Sequence, residues 1–168
     1  MPFGFVHLIS AWLAGKGYEI IKKTILSNYT WLFLLFGSIL PDIDHLVDWT
    51  LNIQIHRSFT HSLFFAVIAG LGIYLLFKLL KHQECTKYAF AISCGILTHV
   101  LLDMLSYPGI QLLWPSQLHF SITHIGYLAP QPSLFDLDLQ PLLKLAIFDM
   151  GIGAAWLFYL ALRKRIKF

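Results

Sequence analysis

Histidine, aspartate and arginine side chains are concentrated in one connection of an apolar chain. Between two apolar segments, the stretch GSILPDIDHLVDWTLNIQIHRSFTHSLFF carries the candidate residues Asp42, Asp44, His56, Arg57 and His61. Imidazole and carboxylate groups are common protein ligands of divalent cations. An arginine guanidinium offers a planar, two-pronged contact to phosphate or carboxylate. The stretch therefore predicts a metal site with an anion-binding residue beside it.

A second pair of candidate ligands lies in the motif HVLLD. His99 and Asp103 are four residues apart, which places them on one face of a helix and within reach of one ion. Ionisable groups inside apolar segments are costly and usually functional. The alternative is a hydrogen-bonded His–Asp pair that only ties helices together. His7, in the first apolar segment, is a further candidate ligand.

These residue types suggest roles in hydrolysis. A divalent cation lowers the pKa of bound water and polarises a phosphoryl or acyl oxygen. Asp42 and Asp44 can divide the tasks of ligand and general base, and Arg57 can hold an anionic substrate group. We expect Thr60 and Ser62 to cap or orient, because a hydroxyl nucleophile needs a base and an oxyanion hole that the sequence does not reveal.

The composition indicates an integral membrane protein. The 168 residues are 57% hydrophobic and 12% charged, and the mean hydropathy is +0.67. These values lie outside the usual range of a soluble domain. We expect a single membrane-embedded domain over residues 1–168. The two cysteines, Cys85 and Cys94, form no CxxC pair and are expected to be small buried residues.

Five apolar segments predict an all-α bundle of four to five transmembrane helices, with the metal site at one membrane face. Residues 63–80, 88–106 and 142–162 are each long enough to span a bilayer. Residues 24–40 reach the lower length limit of a span, about 17 residues. Residues 3–14 are too short for an ordinary crossing and predict a short or partly inserted helix.

The basic residues predict the orientation of this bundle. Ten of the twelve Lys and Arg residues fit a single arrangement. They are Lys16, Lys22, Lys23, Lys78, Lys81, Lys87, Arg163, Lys164, Arg165 and Lys167. Under the positive-inside rule these regions are cytoplasmic, and the candidate site faces the extracytoplasmic side. The net charge of +3 is then a topology signal, and no nucleic acid is expected as a partner.

Four further residues are open candidates for the site. His45 shares the polar connection, and His119 and His124 lie in the later loop WPSQLHFSITHIGYLAP. Asp149 lies inside the last apolar segment, where a carboxylate is unexpected. It can be a ligand, an acceptor for a ligating histidine or a structural partner.

The order of these motifs resembles a known family. His7, LPDIDH, HRSFTHS and HVLLD, followed by YPG and WP, are similar to the YdjM-like family of bacterial and archaeal membrane-bound metal-dependent hydrolases. That family resembles the zinc-dependent phospholipase C and single-strand nuclease superfamily. The resemblance covers the chain from Phe5 to Pro115. It implies the ligand set His7, Asp42 or Asp44, His61 with His56, His99 and Asp103.

Two departures from the family pattern bear on the number of metals. Ser58 stands where the family usually has Gly after the Arg. The further His and Glu ligands of the three-zinc relatives are not evident in this sequence. We therefore expect one or two divalent ions, with zinc as the expected metal.

The resulting hypothesis is a metal-dependent hydrolase of the inner membrane, with membrane lipids as partners. Its expected substrate is a phosphoester or a lipid-linked compound at the extracytoplasmic surface. The alternative is a non-enzymatic membrane protein that binds metal for transport or for folding. A transporter is expected to hold its ionisable groups near the bilayer midplane. The motif HExxH of many metalloproteases does not occur.

Overall fold

The computed structural model describes residues 4–51, 53, 55–105, 109–122, 125–127 and 139–162. These residues are mostly helical, which confirms the all-α prediction. The helices are α1 (Gly4–Lys22), α2 (Asn28–Gly37), α3 (Asp44–Leu51), α4 (Leu63–Leu79), α5 (Cys85–Asp103) and α6 (Leu139–Leu162). Two 3-10 turns, Leu40–Ile43 and Phe59–His61, precede α3 and α4. A short antiparallel pair, β1 (His119–Phe120) and β2 (Ile125–Tyr127), follows α5.

Helix α5 is the centre of the bundle and packs against α1, α2 and α4. Its residues Ile92, Ile96 and Val100 are buried and form the core with Ala66 of α4. Two glycines, Gly37 of α2 and Gly95 of α5, allow these helices to cross closely. A Cβ atom on Gly95 would lie 2.2 Å from the Leu34 carbonyl oxygen, so no larger residue fits there without a shift.

The bundle has two chemically different ends. At one end, Trp31 at the start of α2 donates a hydrogen bond from Nε1 to Glu19 near the end of α1, at 3.2 Å. Tyr88, at the start of α5, packs there against Tyr29 and against Phe77 near the end of α4. The lysines of these helix ends and of the α4–α5 connection belong to this end. The histidines and aspartates of the candidate site lie at the other end of the bundle.

Helix α6 runs beside α1 in the same direction. The Asp149 carboxylate accepts the backbone N–H groups of Phe5 at 3.1 Å and Val6 at 2.9 Å. Further along, Trp156 makes an edge contact with Trp12 at a ring-centroid distance of 6.0 Å. Because a carboxylate stabilises the N-terminus of a helix, Asp149 serves as a cap for α1 supplied by another helix.

The predicted segments agree with the structure for α4, α5 and α6, and differ for the first two. Helix α1 continues to Lys22 and has 19 residues, so it is longer than predicted. Helix α2 begins only at Asn28, after Ser27 accepts the Thr30 N–H. Its 10 residues extend about 15 Å, short of a bilayer core of about 30 Å. The continuous helix predicted from residue 24 to 40 is therefore wrong, because the serine cap starts α2 late.

Length and composition single out one spanning helix among the described residues. Helix α5, with 19 residues, is long and apolar enough to cross a membrane. Helix α4 and the stretch Ile147–Leu160 of α6 are apolar but shorter.

Candidate metal centre

The imidazole of His99 is oriented by the crossing of α2 and α5. Its Nδ1 donates a hydrogen bond to the backbone carbonyl of Ser38, just after α2, at 2.7 Å. A neutral imidazole that donates from Nδ1 keeps its lone pair on Nε2. Both His99 and Ser38 are fully buried. The backbone of α2 therefore leaves Nε2 of His99 as the atom that can bind a cation.

The imidazole of His61 is oriented by Asp44 and Thr60. The Thr60 hydroxyl donates to Asp44 Oδ2 at 2.5 Å and lies 3.0 Å from His61 Nδ1. Asp44 Oδ2 lies 3.4 Å from the same nitrogen. Asp44 and Thr60 thus hold Nδ1 of His61, and Nε2 on the other side of the ring points towards His99. The orienting role predicted for Thr60 is confirmed, and Ser62 is the predicted cap, since it accepts the Phe65 N–H at the start of α4.

Four predicted ligand atoms lie close together: the Nε2 atoms of His61 and His99 and one carboxylate oxygen each of Asp42 and Asp103. The Nε2 atoms of His61 and His99 are 3.1 Å apart. Asp42 Oδ1 lies 3.7 Å from His61 Nε2 and 3.5 Å from His99 Nε2. Asp103 Oδ2 lies 3.2 Å from His61 Nε2 and 3.6 Å from His99 Nε2. The two 3-10 turns and the last turn of α5 therefore meet at one point, which we call the four-donor cluster (Asp42, His61, His99 and Asp103).

His7 adjoins this cluster from α1. Its ring stacks on His99, with centroids 3.7 Å apart and planes 15° apart. His7 Nε2 lies 3.6 Å from Asp103 Oδ1, the oxygen that faces away from His61. Within the described part of the chain, neither ring nitrogen of this buried residue has a hydrogen-bond partner. A buried polar atom without a partner is costly. A cation beside His7 would supply that partner.

The donor set fits a small divalent cation. Ligands about 2.0–2.1 Å from a tetrahedral ion lie about 3.3 Å from one another. The five measured separations within the four-donor cluster, 3.1 to 3.7 Å, bracket that edge length. Both imidazoles also present the expected polar partner at Nδ1. Asp42, His61, His99 and Asp103, with His7 beside Asp103, are the residues that could hold a metal.

A second group of side chains, Asp44, His45 and His56, lies next to His61. His56 Nδ1 is 2.9 Å from Asp44 Oδ1, and its ring stacks on that of His45 at 3.7 Å. The Asp48 carboxylate accepts the backbone N–H groups of Ile55 and His56, which fixes the loop before His61. Donor atoms of Asp44, His45 and His56 lie within 4.8 Å of one another, as do those of Asp42, His56 and His61. His56 thus links the two sets.

The electrostatics of the connection favour positive charge at its centre. Burial by itself lowers the pKa of the His61 imidazole, but hydrogen bonds to the surrounding carboxylates outweigh burial and raise that pKa to about 10. Burial raises the pKa of Asp44, yet hydrogen bonds to His56 and His61 outweigh it and hold the pKa well below its usual range. The carboxylates are therefore ionised, and they stabilise a cation placed among them.

Arg57 is buried beside this connection. Its backbone has a φ of 67°, a left-handed conformation that non-glycine residues seldom adopt. Its carbonyl accepts the Gln111 N–H at 3.1 Å, which ties the loop to the segment after α5. Ser58, the next residue, has a φ of −100°. The left-handed residue of this loop is thus the arginine.

The open candidates occupy different places. His45 belongs to the Asp44–His56 group. His119, on β1, is buried and its Nδ1 donates to the Gln117 carbonyl at 3.1 Å. Asp149 caps α1. Among the residues that the structure describes, neither His119 nor Asp149 belongs to a group of candidate metal donors. His124 lies outside the described residues.

Sequence reasoning assigned no role in this site to two of its contributors, Ser38 and Asp48. The Ser38 carbonyl orients His99, and the Asp48 carboxylate holds the loop before His56. A backbone carbonyl carries no sequence signal. Asp48 follows Asp44 by four residues and so shares its helix face, which is a signal that the spacing does offer.

These features define a class: a helical protein of the membrane with a buried His/Asp donor cluster at one end of the bundle. The chain matches the YdjM inner membrane protein family over residues 1–164. It belongs to that family, whose description places it in the inner membrane. Neither the curated proteins nor the solved structures gave a match to this chain.

Proposed function

We propose that this protein is a membrane-bound, metal-dependent hydrolase that acts on a phosphoester or lipid-linked substrate at the extracytoplasmic membrane surface. The observation that carries the proposal is the four-donor cluster. Side chains from three separate elements direct two imidazole nitrogens and two carboxylates at one point. Carboxylates and imidazoles gathered at one point favour positive charge between them, which supports a role in metal binding.

The cation would be held by Asp42, His61, His99 and Asp103, with His7 available on the second oxygen of Asp103. Zinc is the expected ion because its usual ligands are imidazole and carboxylate. When bound, a divalent ion would lower the pKa of its bound water and polarise a phosphoryl or acyl oxygen. One ion satisfies the four-donor cluster, and His7 and the Asp44–His56 group are candidates for a second.

The chain's own residues would divide the remaining tasks. Asp44 holds His61 and His56 in orientation through its two oxygens. To act as the predicted general base, Asp44 needs the attacking water molecule near one of these two oxygens. Arg57 is proposed to bind the anionic group of the substrate, because its guanidinium suits phosphate geometry.

Access to the cluster supports a substrate that arrives beside Asp42. The Asp42 side chain is 28% exposed, whereas those of His61 and His99 are fully buried and that of Asp103 is 3% exposed. A substrate oxygen can reach the cluster at the Asp42 side with little rearrangement. The other three donors are buried.

The proposed membrane placement rests on the two ends of the bundle. We propose that α1, α4, α5 and α6 cross or enter the membrane, with α2 as a short helix packed inside the bundle. The lysine-rich end is assigned to the cytoplasm by the positive-inside rule. The opposite end, with the four-donor cluster, then lies at the extracytoplasmic surface.

The test is metal analysis of the purified protein together with hydrolysis assays. We expect about one or two divalent ions per chain and hydrolysis that a chelator abolishes and added zinc restores. The assay panel should contain phosphomonoesters, phosphodiesters and carboxylic esters in soluble and lipid-linked forms. Bound metal with no metal-dependent hydrolysis across the panel would favour the non-enzymatic alternative. A protein free of metal after loading would contradict the proposal entirely.

A further inference from the structure

A cleft lies beside the contact between the beginning of α1 and α6 and reaches Asp42 of the four-donor cluster. Its volume is about 460 Å³, within the range of small-molecule sites. Its apolar walls are Phe5, Leu8, Ile39 and Met150, and its two polar side chains are Asp42 and Asp149. We call it the α1–α6 cleft. It borders the proposed metal centre at Asp42.

The two carboxylates of the cleft, those of Asp42 and Asp149, differ in whether they are free to bind a ligand. Asp149 accepts two backbone N–H groups of α1 and so holds the two helices together. Asp42 is directed at the imidazoles of His61 and His99. The cleft therefore has one reactive end, at Asp42, and an otherwise apolar surface.

Exposed apolar side chains of α6 lie beside the cleft. Next to Asp149, the side chains of Ile147, Phe148 and Met150 are 64% to 66% exposed. They begin the apolar stretch Ile147–Leu160 of α6. Apolar side chains exposed over a helix surface are expected to contact lipid in a membrane protein. A hydrocarbon chain can thus enter the cleft from the bilayer without passing through water.

We propose that the α1–α6 cleft binds the hydrocarbon chain of a lipid substrate and places its ester group at Asp42. This inference rests on the proposed hydrolase function and specifies its substrate class. An amphiphile fits because the cleft joins an apolar, lipid-facing wall to one metal-binding carboxylate.

A glycine at the rim permits a direct test. A Cβ atom added to Gly4 meets no atom within 4 Å, so Gly4→Trp can fill the cleft without a clash at the backbone. Gly72 on α4 has the same open surroundings away from the cleft, and Gly72→Trp is the matched control. Met150→Trp is a second variant that narrows the cleft, at a side chain that is already 64% exposed.

The zinc-loaded protein is assayed on two substrates with the same ester headgroup and a short or a long acyl chain. We expect Gly4→Trp and Met150→Trp to lower kcat/KM for the long chain about tenfold or more, since the added ring displaces methylene groups of the chain from the cleft. Short-chain turnover should stay within about twofold, and Gly72→Trp should match the wild type on both. Equal effects on both chain lengths would overturn the proposal.

Binding is measured separately with a photoreactive acyl-chain phospholipid in vesicles. We expect its label on peptides that contain Phe5, Leu8 or Met150, and loss of that label in Gly4→Trp but not in Gly72→Trp. Label spread evenly over all exposed helix faces, or unchanged in Gly4→Trp, would overturn the proposal. Absence of hydrolysis for both chain lengths contradicts the hydrolase function instead, and the labelling still decides whether the cleft holds a chain.

Discussion

The Nδ1 atom of His99 donates a hydrogen bond to the Ser38 carbonyl at 2.7 Å, across the crossing of α5 and α2. The bond ties the ligand geometry to the packing of two helices. Any change that separates α2 from α5 should therefore move Nε2 of His99 relative to His61. Stability of the bundle and metal binding are coupled at this point.

Removal of His99 or Asp103 should abolish metal binding while leaving membrane insertion intact. Insertion depends on the apolar helices, and the donors assemble only after those helices pack. We expect His99→Ala and Asp103→Ala to purify from the membrane fraction without stoichiometric zinc, as measured by elemental analysis. His82→Ala, at an exposed histidine of the α4–α5 connection, is the control and should keep its metal. Full occupancy in both ligand variants would refute the ligand assignment.

Asp44→Asn should weaken metal binding at the four-donor cluster without removing one of its four donors. The amide keeps the shape of the side chain but loses the negative charge that faces His61 Nδ1 and His56 Nδ1. Loss of a partner that orients a ligating histidine typically lowers metal affinity about 10- to 100-fold. Competition with a zinc chelator measures this loss. Thr60→Val, which removes only the hydroxyl, should weaken binding about fivefold. An unchanged affinity in Asp44→Asn is the contrary result.

Arg57→Ala should retain bound metal and lose turnover, and Arg57→Lys should restore activity poorly. An ammonium cannot reproduce the planar two-pronged contact of a guanidinium with an anionic group. Because Arg57 has a φ of 67°, Arg57→Gly is included to separate backbone strain from side-chain chemistry. It should be as inactive as Arg57→Ala. Equal activity of wild type, Ala and Lys forms on an identified substrate would refute the proposed role.

Gly95→Ala should destabilise the bundle. The new methyl group would lie 2.2 Å from the Leu34 carbonyl oxygen, so α2 and α5 must separate. Overpacking of this kind costs about 1–3 kcal/mol. The melting temperature in detergent should fall, and zinc affinity should fall with it. Gly72→Ala, where the methyl group meets open space, should leave both quantities unchanged or slightly raised. A stable Gly95→Ala protein with normal zinc affinity would uncouple packing from metal binding.

The orientation of the bundle can be tested with single cysteines in a background where Cys85 and Cys94 are replaced. A cysteine at Thr50, in α3, should react with an impermeant thiol reagent from the extracytoplasmic side. A cysteine at Gln83, between α4 and α5, should react only after permeabilisation, because the basic residues near it favour the cytoplasm. The reverse pattern would place the four-donor cluster in the cytoplasm and rule out an extracytoplasmic substrate.

The main architecture could be predicted from local patterns. Apolar runs of about 17 or more residues predicted α4, α5 and α6, because burial in an apolar medium requires length and composition that are visible in the sequence. The spacing of His99 and Asp103 likewise placed both side chains on one helix face. Helix α2 was predicted too long. The apolar run used for the prediction begins before Ser27, whereas the Ser27 cap starts the helix after that residue.

The sequence by itself determined the class of the protein and the residue types of its candidate site, since both depend on composition, order and spacing. Only the tertiary structure decided which donors meet. His7 and Asp103 are 96 positions apart yet 3.6 Å from each other, a distance set by the packing of α1 against α5. It also assigned Asp149 to the cap of α1 and Ser38 to the orientation of His99. Such contacts join backbone groups to distant side chains, and backbone groups are the same in every residue.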